Sequence, residues 1–286
     1  MMKPRVSELR RVFKVMFQRQ VVIAGIVITM ITIIVAIFAP WIAPYDPIKQ
    51  DLDAMRQKPS AEHLLGTDEY GRDVLSRLVV GTRISLLVGV VAVCIAGALG
   101  MLLGLIAGYF GGWVNAIIMR FIDALLALPP MVLMLAIAAL LGGGLKNVLI
   151  ALGVSMMPTY CRLMCGQILA LRSSDYVIAA RSIGASNPRV MFQHLLPNSF
   201  PPLLVLLTTN LGTAIIMEAS LSFLGIGISP PTPTWGSMVN SGYPYLLTNP
   251  LLSIAPGLAI MLVVLAINMV GDGLIDALDP RLRGVF

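Results

Sequence analysis

The chain has 286 residues, of which 57% are hydrophobic and only 12% are charged, and its formal net charge is +6. This composition excludes an ordinary soluble domain, in which about a quarter of the residues are charged, and it indicates a polytopic membrane protein. Lysine and arginine are expected to meet anionic membrane lipid at the cytoplasmic surface, so no nucleic-acid partner is implied.

Residues 1–20 form a basic segment, and residues 21–45 form the first hydrophobic span. The segment holds six lysines and arginines against Glu8, so the positive-inside rule predicts a cytoplasmic amino terminus. The apolar run is longer than a signal-peptide core and lacks a convincing cleavage site. We therefore expect a permanent transmembrane anchor.

Residues 46–83 form a polar segment that is expected outside. It has six basic and seven acidic residues, but long loops are translocated regardless of charge. Its end, residues 71–83, is predicted to lie along the membrane interface. The residues expected to face water there are Arg72, Asp73, Ser76, Arg77 and Arg83.

Five further hydrophobic stretches are expected to form a transmembrane core over residues 84–271, followed by a cytoplasmic tail, 272–286. Each is long enough to cross about 30 Å of hydrocarbon as a helix. With the first span they make six, which puts both termini on one side. The predicted stretches are 84–119, 124–145, 146–165, 199–225 and 250–271.

Small residues recur every four positions in the second span, at Ala96, Gly100, Gly104, Gly108 and Gly112. They share one helix face and allow close helix contact, since packing drives helix association in lipid. The face suits another helix of this chain or a helix of a second subunit.

Cysteines and histidines give little sign of a reactive site. Cys161 and Cys165 are one helical turn apart, as a metal site requires, but no histidine or carboxylate is near in sequence to complete it. Both are expected to be core thiols, as is Cys94. His63 and His194 are too isolated to indicate a histidine-based site, so no metal or catalytic site is expected.

Residues 166–198 form a polar, basic loop between two hydrophobic regions. Ser173, Ser174 and Asp175 are expected to accept hydrogen bonds from free amides at a helix start, and an acidic residue there suits the positive end of the helix dipole. Gly184 predicts a helix end, because glycine takes the left-handed conformation at little cost. Pro188 predicts a new start. The pattern is helix, glycine corner, helix.

Ala179 and Ala180 leave a small-side-chain face on this loop that another backbone can approach closely. Arginines at 172, 181 and 189 surround it. The combination suits a docking surface for another protein. It also suits an ordinary basic loop between spans, because helix caps and glycine stops are common.

The fifth span is more polar than a membrane anchor requires. Polar side chains facing lipid would lack partners, so one face is predicted to line a pathway across the membrane. In the alternative, its hydroxyls bond to carbonyls of their own helix. Five residues fall within about one third of the circumference: Thr209, Asn210, Thr213, Met217 and Ser220.

Glu218 lies beside that face. An ionisable residue within a span costs a few kcal/mol and is usually functional, so we expect Glu218 to organise an external gate. In the alternative, it lies near the outer helix end, where water or a backbone amide satisfies it.

Four passages resemble the C-type permeases of dipeptide and oligopeptide ABC importers, the binding-protein-dependent transport permease family. The loop resembles their cytoplasmic "EAA" loop, in which a short coupling helix sits in a groove of the ATPase subunit. The likeness covers nearly all the chain from the first span onward. The passages are 65–85, 175–198, 218–236 and 271–283.

The loop departs from the family pattern at two positions. Ile178 replaces the opening glutamate, and His194 replaces an apolar residue, so a salt bridge to the ATPase must be absent or supplied by Asp175. The Ala-Ala pair, Gly184 and the Leu196-Pro197 pair match the pattern. The resemblance thus implies an ATPase-coupling role for Asp175, Ala179, Ala180, Gly184, Leu196 and Pro197.

The resemblance implies an all-α fold of six transmembrane helices, the type I ABC importer permease fold, in a bacterial or archaeal cytoplasmic (inner) membrane. The implied partners are a homologous B-type permease, two ATPase subunits and an extracellular or periplasmic solute-binding protein. ATP and Mg would be used by the ATPases. The chain lacks a Gly-x4-Gly-Lys-Ser/Thr loop and is expected to bind no cofactor.

The substrate implied is a short peptide, although importers of nickel chelates, glutathione and opines share these motifs. A secondary transporter would need intramembrane ionisable residues, for which Glu218 is almost the only candidate. An intramembrane hydrolase would need a nucleophile and base or a metal-ligand set, and the His-Glu-x-x-His motif is absent.

Overall fold

The computed structural model describes residues 16, 17 and 19–278, and its regular structure there is helical apart from an isolated bridge between Thr67 and Asp73. Most of the predicted amino-terminal segment and the end of the tail lie outside the described residues. The helices are α1 (Gln20–Ile42), α2 (Val74–Phe110), α3 (Gly112–Leu126), α4 (Pro130–Leu141), α5 (Leu145–Leu171), α6 (Asp175–Ser182), α7 (Asn187–Phe223), α8 (Trp235–Gly242) and α9 (Leu251–Leu278).

Among the described residues, α1, α2, α5, α7 and α9 are long and apolar enough to cross a membrane. The bent pair of α3 and α4 makes a sixth candidate if it counts as one span. The prediction of an all-α membrane protein with six spans is therefore confirmed.

The prediction of one helix over 124–145 is wrong. The chain bends by 89° between α3 and α4, where Pro129 and Pro130 follow each other. A proline disfavours the helical conformation of the residue before it and has no N–H to donate. Hydropathy located this apolar stretch, but two adjacent prolines divide it.

The second span also differs from its predicted bounds. α2 begins at Val74, ahead of the predicted start at 84, and ends at Phe110 instead of 119. Gly111 and Gly112 follow with φ of 66° and 48°. These values lie in the left-handed region that favours glycine, so the pair turns the chain into α3.

The chain divides into two compact units. The first comprises Met1–Val90, Ala138–Leu149 and Thr208–Phe286, and the second comprises Val91–Ile137 and Ile150–Leu207.

In the first unit, α1 packs on α9. A side chain at Gly25 would meet Met269, so glycine lets these two helices approach closely. Arg19 Nη1 lies 2.6 Å from Asp276 Oδ2, which joins the start of α1 to the last turns of α9.

The short helix α8, also in the first unit, is anchored by Trp235. The indole ring is buried against Ile215, Val263 and Ile267, and its Nε1 donates a hydrogen bond of 3.1 Å to the carbonyl of Leu78. A buried tryptophan with a satisfied N–H holds the loop after α7 against α2 and α9.

In the second unit, the small-residue face of α2 lies against α5. A Cβ on Gly104 would be 2.8 Å from the Cβ of Met164, and one on Gly108 would be 2.7 Å from that of Ile168. The partner of this face is thus another helix of the same chain. Gly112 is not part of the contact, because nothing lies within 4 Å of its would-be Cβ.

The segment before α2 contradicts the prediction for its polar side chains. Arg72, Asp73, Ser76 and Arg77 are buried instead of facing water. Asp68 Oδ2 accepts a hydrogen bond of 2.6 Å from Arg72 Nε, and Asp73 Oδ2 accepts one of 2.7 Å from Ser76 Oγ. The helical-face argument failed for these four because each has a buried partner, Asp68 for both arginines and Asp73 for Ser76. Arg83 is exposed, as predicted.

Candidate coupling loop and translocation face

The loop between α5 and α7 has the predicted pattern of helix, glycine corner and helix. α6 begins at Asp175, and Gly184 has a φ of 82°. The Gly184 N–H donates to the carbonyl of Arg181 at 2.9 Å. The expected cap by Ser174 is wrong, since its hydroxyl donates to the carbonyl of Leu171 at 2.6 Å. α7 begins at Asn187, with proline in its first turn.

Four apolar side chains of this loop are exposed, and we name them the docking face: Tyr176, Ile178, Ile183 and Phe192. Ile183 next to the glycine corner is 86% exposed, and Ile178 is 52% exposed. Exposed apolar surface is unfavourable in water, so these side chains are candidates for contact with a partner.

The predicted ATPase-coupling residues differ in exposure. Asp175, Ala179, Gly184 and Pro197 are exposed, whereas Leu196 is partly buried. Ala180 packs inside its own chain, so it is not available to a second backbone. The two alanines face different ways because adjacent residues of a helix lie about 100° apart.

Tyr109 is a residue of this region that sequence reasoning missed. It lies in the last turn of α2, and its hydroxyl donates a hydrogen bond of 2.7 Å to Asn187 Oδ1. The guanidinium carbon of Arg181 lies 4.9 Å from the centre of its ring. The sequence shows a tyrosine just before the Gly111-Gly112 turn, but this local pattern does not reveal a contact with a residue far away in sequence.

The residues of the fifth span that were predicted to line a pathway differ in their exposure and in their contacts. Thr213 is exposed, Met217 is buried, and Asn210 is partly buried. Thr209 Cγ2 would lie 3.1 Å from a Cβ on Gly271. Ser220 Oγ donates to the carbonyl of Ile216 at 2.8 Å, which is the alternative of bonding within the helix.

Glu218 is fully buried, at 0% exposure. Its Oε1 accepts a hydrogen bond of 2.7 Å from Ser222 Oγ, one turn further along α7. Thr234, the N-cap of α8, lies near the carboxyl group as well. The partner of Oε1 is thus a side chain of its own helix, while Oε2 is buried without a hydrogen-bond partner among the described residues.

A cavity of about 310 Å³ lies between the segment before α2 and the loop after α7. This volume falls at the lower end of ligand pockets. Burial raises the pKa of the Glu69 carboxyl above its usual value. The lining residues are Gln50, Glu69, Tyr70, Arg72, Arg77, Pro230, Pro231, Thr232, Ser237 and Ser241.

Two protein-family models match the chain. Residues 100–284 match the model described as the binding-protein-dependent transport system inner membrane component. Residues 7–59 match the N-terminal transmembrane domain of oligopeptide transport permease C.

Curated relatives match almost the whole chain. The dipeptide transport system permease protein DppC of Alkalihalophilus pseudofirmus is 42% identical over 97% of this chain and 91% of that protein. The glutathione transport system permease protein GsiD of Escherichia coli O157:H7 is 46% identical over 94% of this chain and 89% of its own length.

The fold has a counterpart among solved structures. An inward-facing conformation of the MetNI methionine ABC transporter matches 72% of this chain and 97% of that chain with a TM-score of 0.58. Sequence identity over the match is 19%, so this likeness shows the type I importer permease fold alone.

Proposed function

The chain belongs to the family of binding-protein-dependent transport system inner membrane components, and from that membership we propose that it moves short peptides across the cytoplasmic membrane as one permease of an ABC importer. The family places it among ABC importer permeases. A peptide substrate is supported by the relative that transports dipeptides and by the match to oligopeptide permease C over residues 7–59.

The observation that carries the proposal is the docking face. Four exposed apolar side chains flank a glycine corner along a polar loop, and a groove in a protein partner would remove them from water. The family implies ATPase partners in general. We assign this contact to one of the two ATPase subunits, with Asp175, Ala179 and Pro197 beside it, while Ala180, Gly184 and Leu196 shape the loop.

The other partners and the pathway are proposed from the same family membership. A homologous B-type permease would pair with this chain, and the pathway would run past Thr213 and Asn210 of α7. The amino terminus and the docking face would be cytoplasmic, while the 310 Å³ cavity and α8 would face an external solute-binding protein. Glu218 would hold α7 beside α8 at the external gate.

Reconstitution tests the proposal. The chain, its B-type partner and the ATPases are placed in proteoliposomes with the solute-binding protein, and uptake of a radiolabelled dipeptide is measured with and without ATP. We expect uptake that depends on ATP and on the binding protein. Uptake driven by a proton gradient without ATP would instead indicate a secondary transporter.

Glutathione is the second candidate substrate, because the permease from Escherichia coli O157:H7 that is 46% identical transports it. Nickel chelates are a third. Competition against the labelled dipeptide by glutathione, by a nickel chelate and by unlabelled dipeptide ranks the three. A preference for the nickel chelate would contradict a peptide substrate while leaving the importer assignment intact.

A further inference from the structure

Contacts from three helices converge on the last turn of α2. Tyr109 is only 7% exposed, and its ring and its hydroxyl have different partners. Arg181, in the last turn of α6, stacks over the ring at 4.9 Å. Asn187, at the start of α7, accepts the hydrogen bond from the hydroxyl at 2.7 Å. One side chain therefore touches both arms of the Gly184 corner.

The end of α5 reaches the same place. Arg172 Nη1 donates a hydrogen bond of 3.2 Å to the carbonyl of Gly108, the residue before Tyr109. A Cβ on Gly111 would be 2.9 Å from Arg172 Nη1, so glycine leaves room for this guanidinium. In the last turn of α2, Arg172 thus binds the backbone at Gly108, and Arg181 and Asn187 contact the side chain of Tyr109.

The corner itself has no comparable packing. No atom of the described residues lies within 4 Å of a would-be Cβ on Gly184, and Ile183 beside it is exposed. A force applied at the docking face therefore reaches the rest of the chain through the flanking helices. Contiguous contacts of this kind can carry energetic coupling between two sites.

We propose that Tyr109 is the positioning residue that transmits movement of the docking face to α2, which runs without a break from Phe110 back to Val74. The hydrogen bond to Asn187 and the stacking of Arg181 make α6 and the start of α7 move with the end of α2. This inference rests on the proposed docking of an ATPase to the loop. It adds the route by which ATP hydrolysis reaches the transmembrane helices.

The test uses the full complex in proteoliposomes and measures the number of radiolabelled dipeptide molecules imported per ATP hydrolysed. Tyr109→Phe removes the hydroxyl and keeps the ring. Asn187→Leu removes the acceptor, while Asn187→Asp keeps an oxygen at the same distance along the side chain. We expect a fall of about fivefold for the first two variants, as the net loss of one hydrogen bond gives, and little change for the third.

Two comparisons separate transmission from simple stability. The double variant Tyr109→Phe with Asn187→Leu should lose no more than either single variant, because both remove the same bond. Ser182→Ala is the matched control, since among the described residues that hydroxyl bonds within α6, to the carbonyl of Ile178. It should keep the wild-type ratio.

An unchanged import per ATP in Tyr109→Phe and Asn187→Leu overturns the inference. It is also overturned if their import falls only in proportion to the amount of folded complex, measured by thermal stability in detergent. Failure of the proposed function would give a different result. The ATPase would then remain bound to a variant in which residues of the docking face are replaced by charged ones.

Discussion

At the scale of single residues, exposure distinguishes the side chains of the loop that a partner can contact from those that support the loop. The family pattern draws attention to the Ala-Ala pair, yet Ala180 is buried and Ile183 is the most exposed of the docking face. We therefore expect the largest contribution to ATPase binding from Ile183, a residue that the family pattern does not single out.

Replacing Ile183 by aspartate tests this expectation. Burial of an isoleucine side chain stabilises an interface by about 1.5–3 kcal/mol, so Ile183→Asp should weaken ATPase binding roughly 10- to 100-fold. The measurement is co-purification of the ATPase subunits at a series of concentrations. Ile48→Asp, at an exposed isoleucine before α2, is the control and should leave ATPase binding unchanged. Full retention by Ile183→Asp contradicts the docking face.

At the scale of elements, the contact of α2 with α5 depends on glycine. A side chain at Gly104 would meet both Met164 and the carbonyl of Cys161, so these helices can approach only without it. Gly166 of α5 is also helical, but nothing lies within 4 Å of its would-be Cβ. The two glycines thus form a matched pair, one inside the contact and one outside it.

Gly104→Ala should lower the stability of the permease, because close-packed helices must separate or shift. We expect a loss of about 1–3 kcal/mol, seen as a lower midpoint of thermal unfolding in detergent. Gly166→Ala should be neutral or stabilising by up to about 1 kcal/mol, since alanine favours a helix over glycine. Equal midpoints for the two variants would mean that α2 and α5 do not pack through this face.

At the scale of the whole molecule, the orientation in the membrane remains a prediction from charge. Ala61 and Ser173 are both exposed, and the six-span topology puts them on opposite sides. Cys94 is exposed instead of being the expected core thiol, so it is replaced by serine. In this Cys94→Ser background, Ala61→Cys should react with a membrane-impermeant maleimide on intact cells, whereas Ser173→Cys should react only after the cells are opened. The reverse labelling would invert the topology.

Composition, periodicity and local conformational preferences determined where the spans, the small-residue face and the loop corner of this protein lie. The apolar stretches, the small residues at every fourth position and the Gly184 corner depend on residues close in sequence, so they can be read directly. Glycine at a left-handed position and proline at a helix start act through their own backbone, which is why the helix, corner and helix were predicted.

Only the tertiary structure decided which polar side chains satisfy one another. Arg72 and Asp73 looked solvent-facing and are buried in ion pairs and hydrogen bonds, and Glu218 bonds to Ser222. The link from Tyr109 to Asn187 joins residues far apart in sequence. Burial favours such pairing because an unpartnered buried polar group is costly, but the fold alone determines which groups meet.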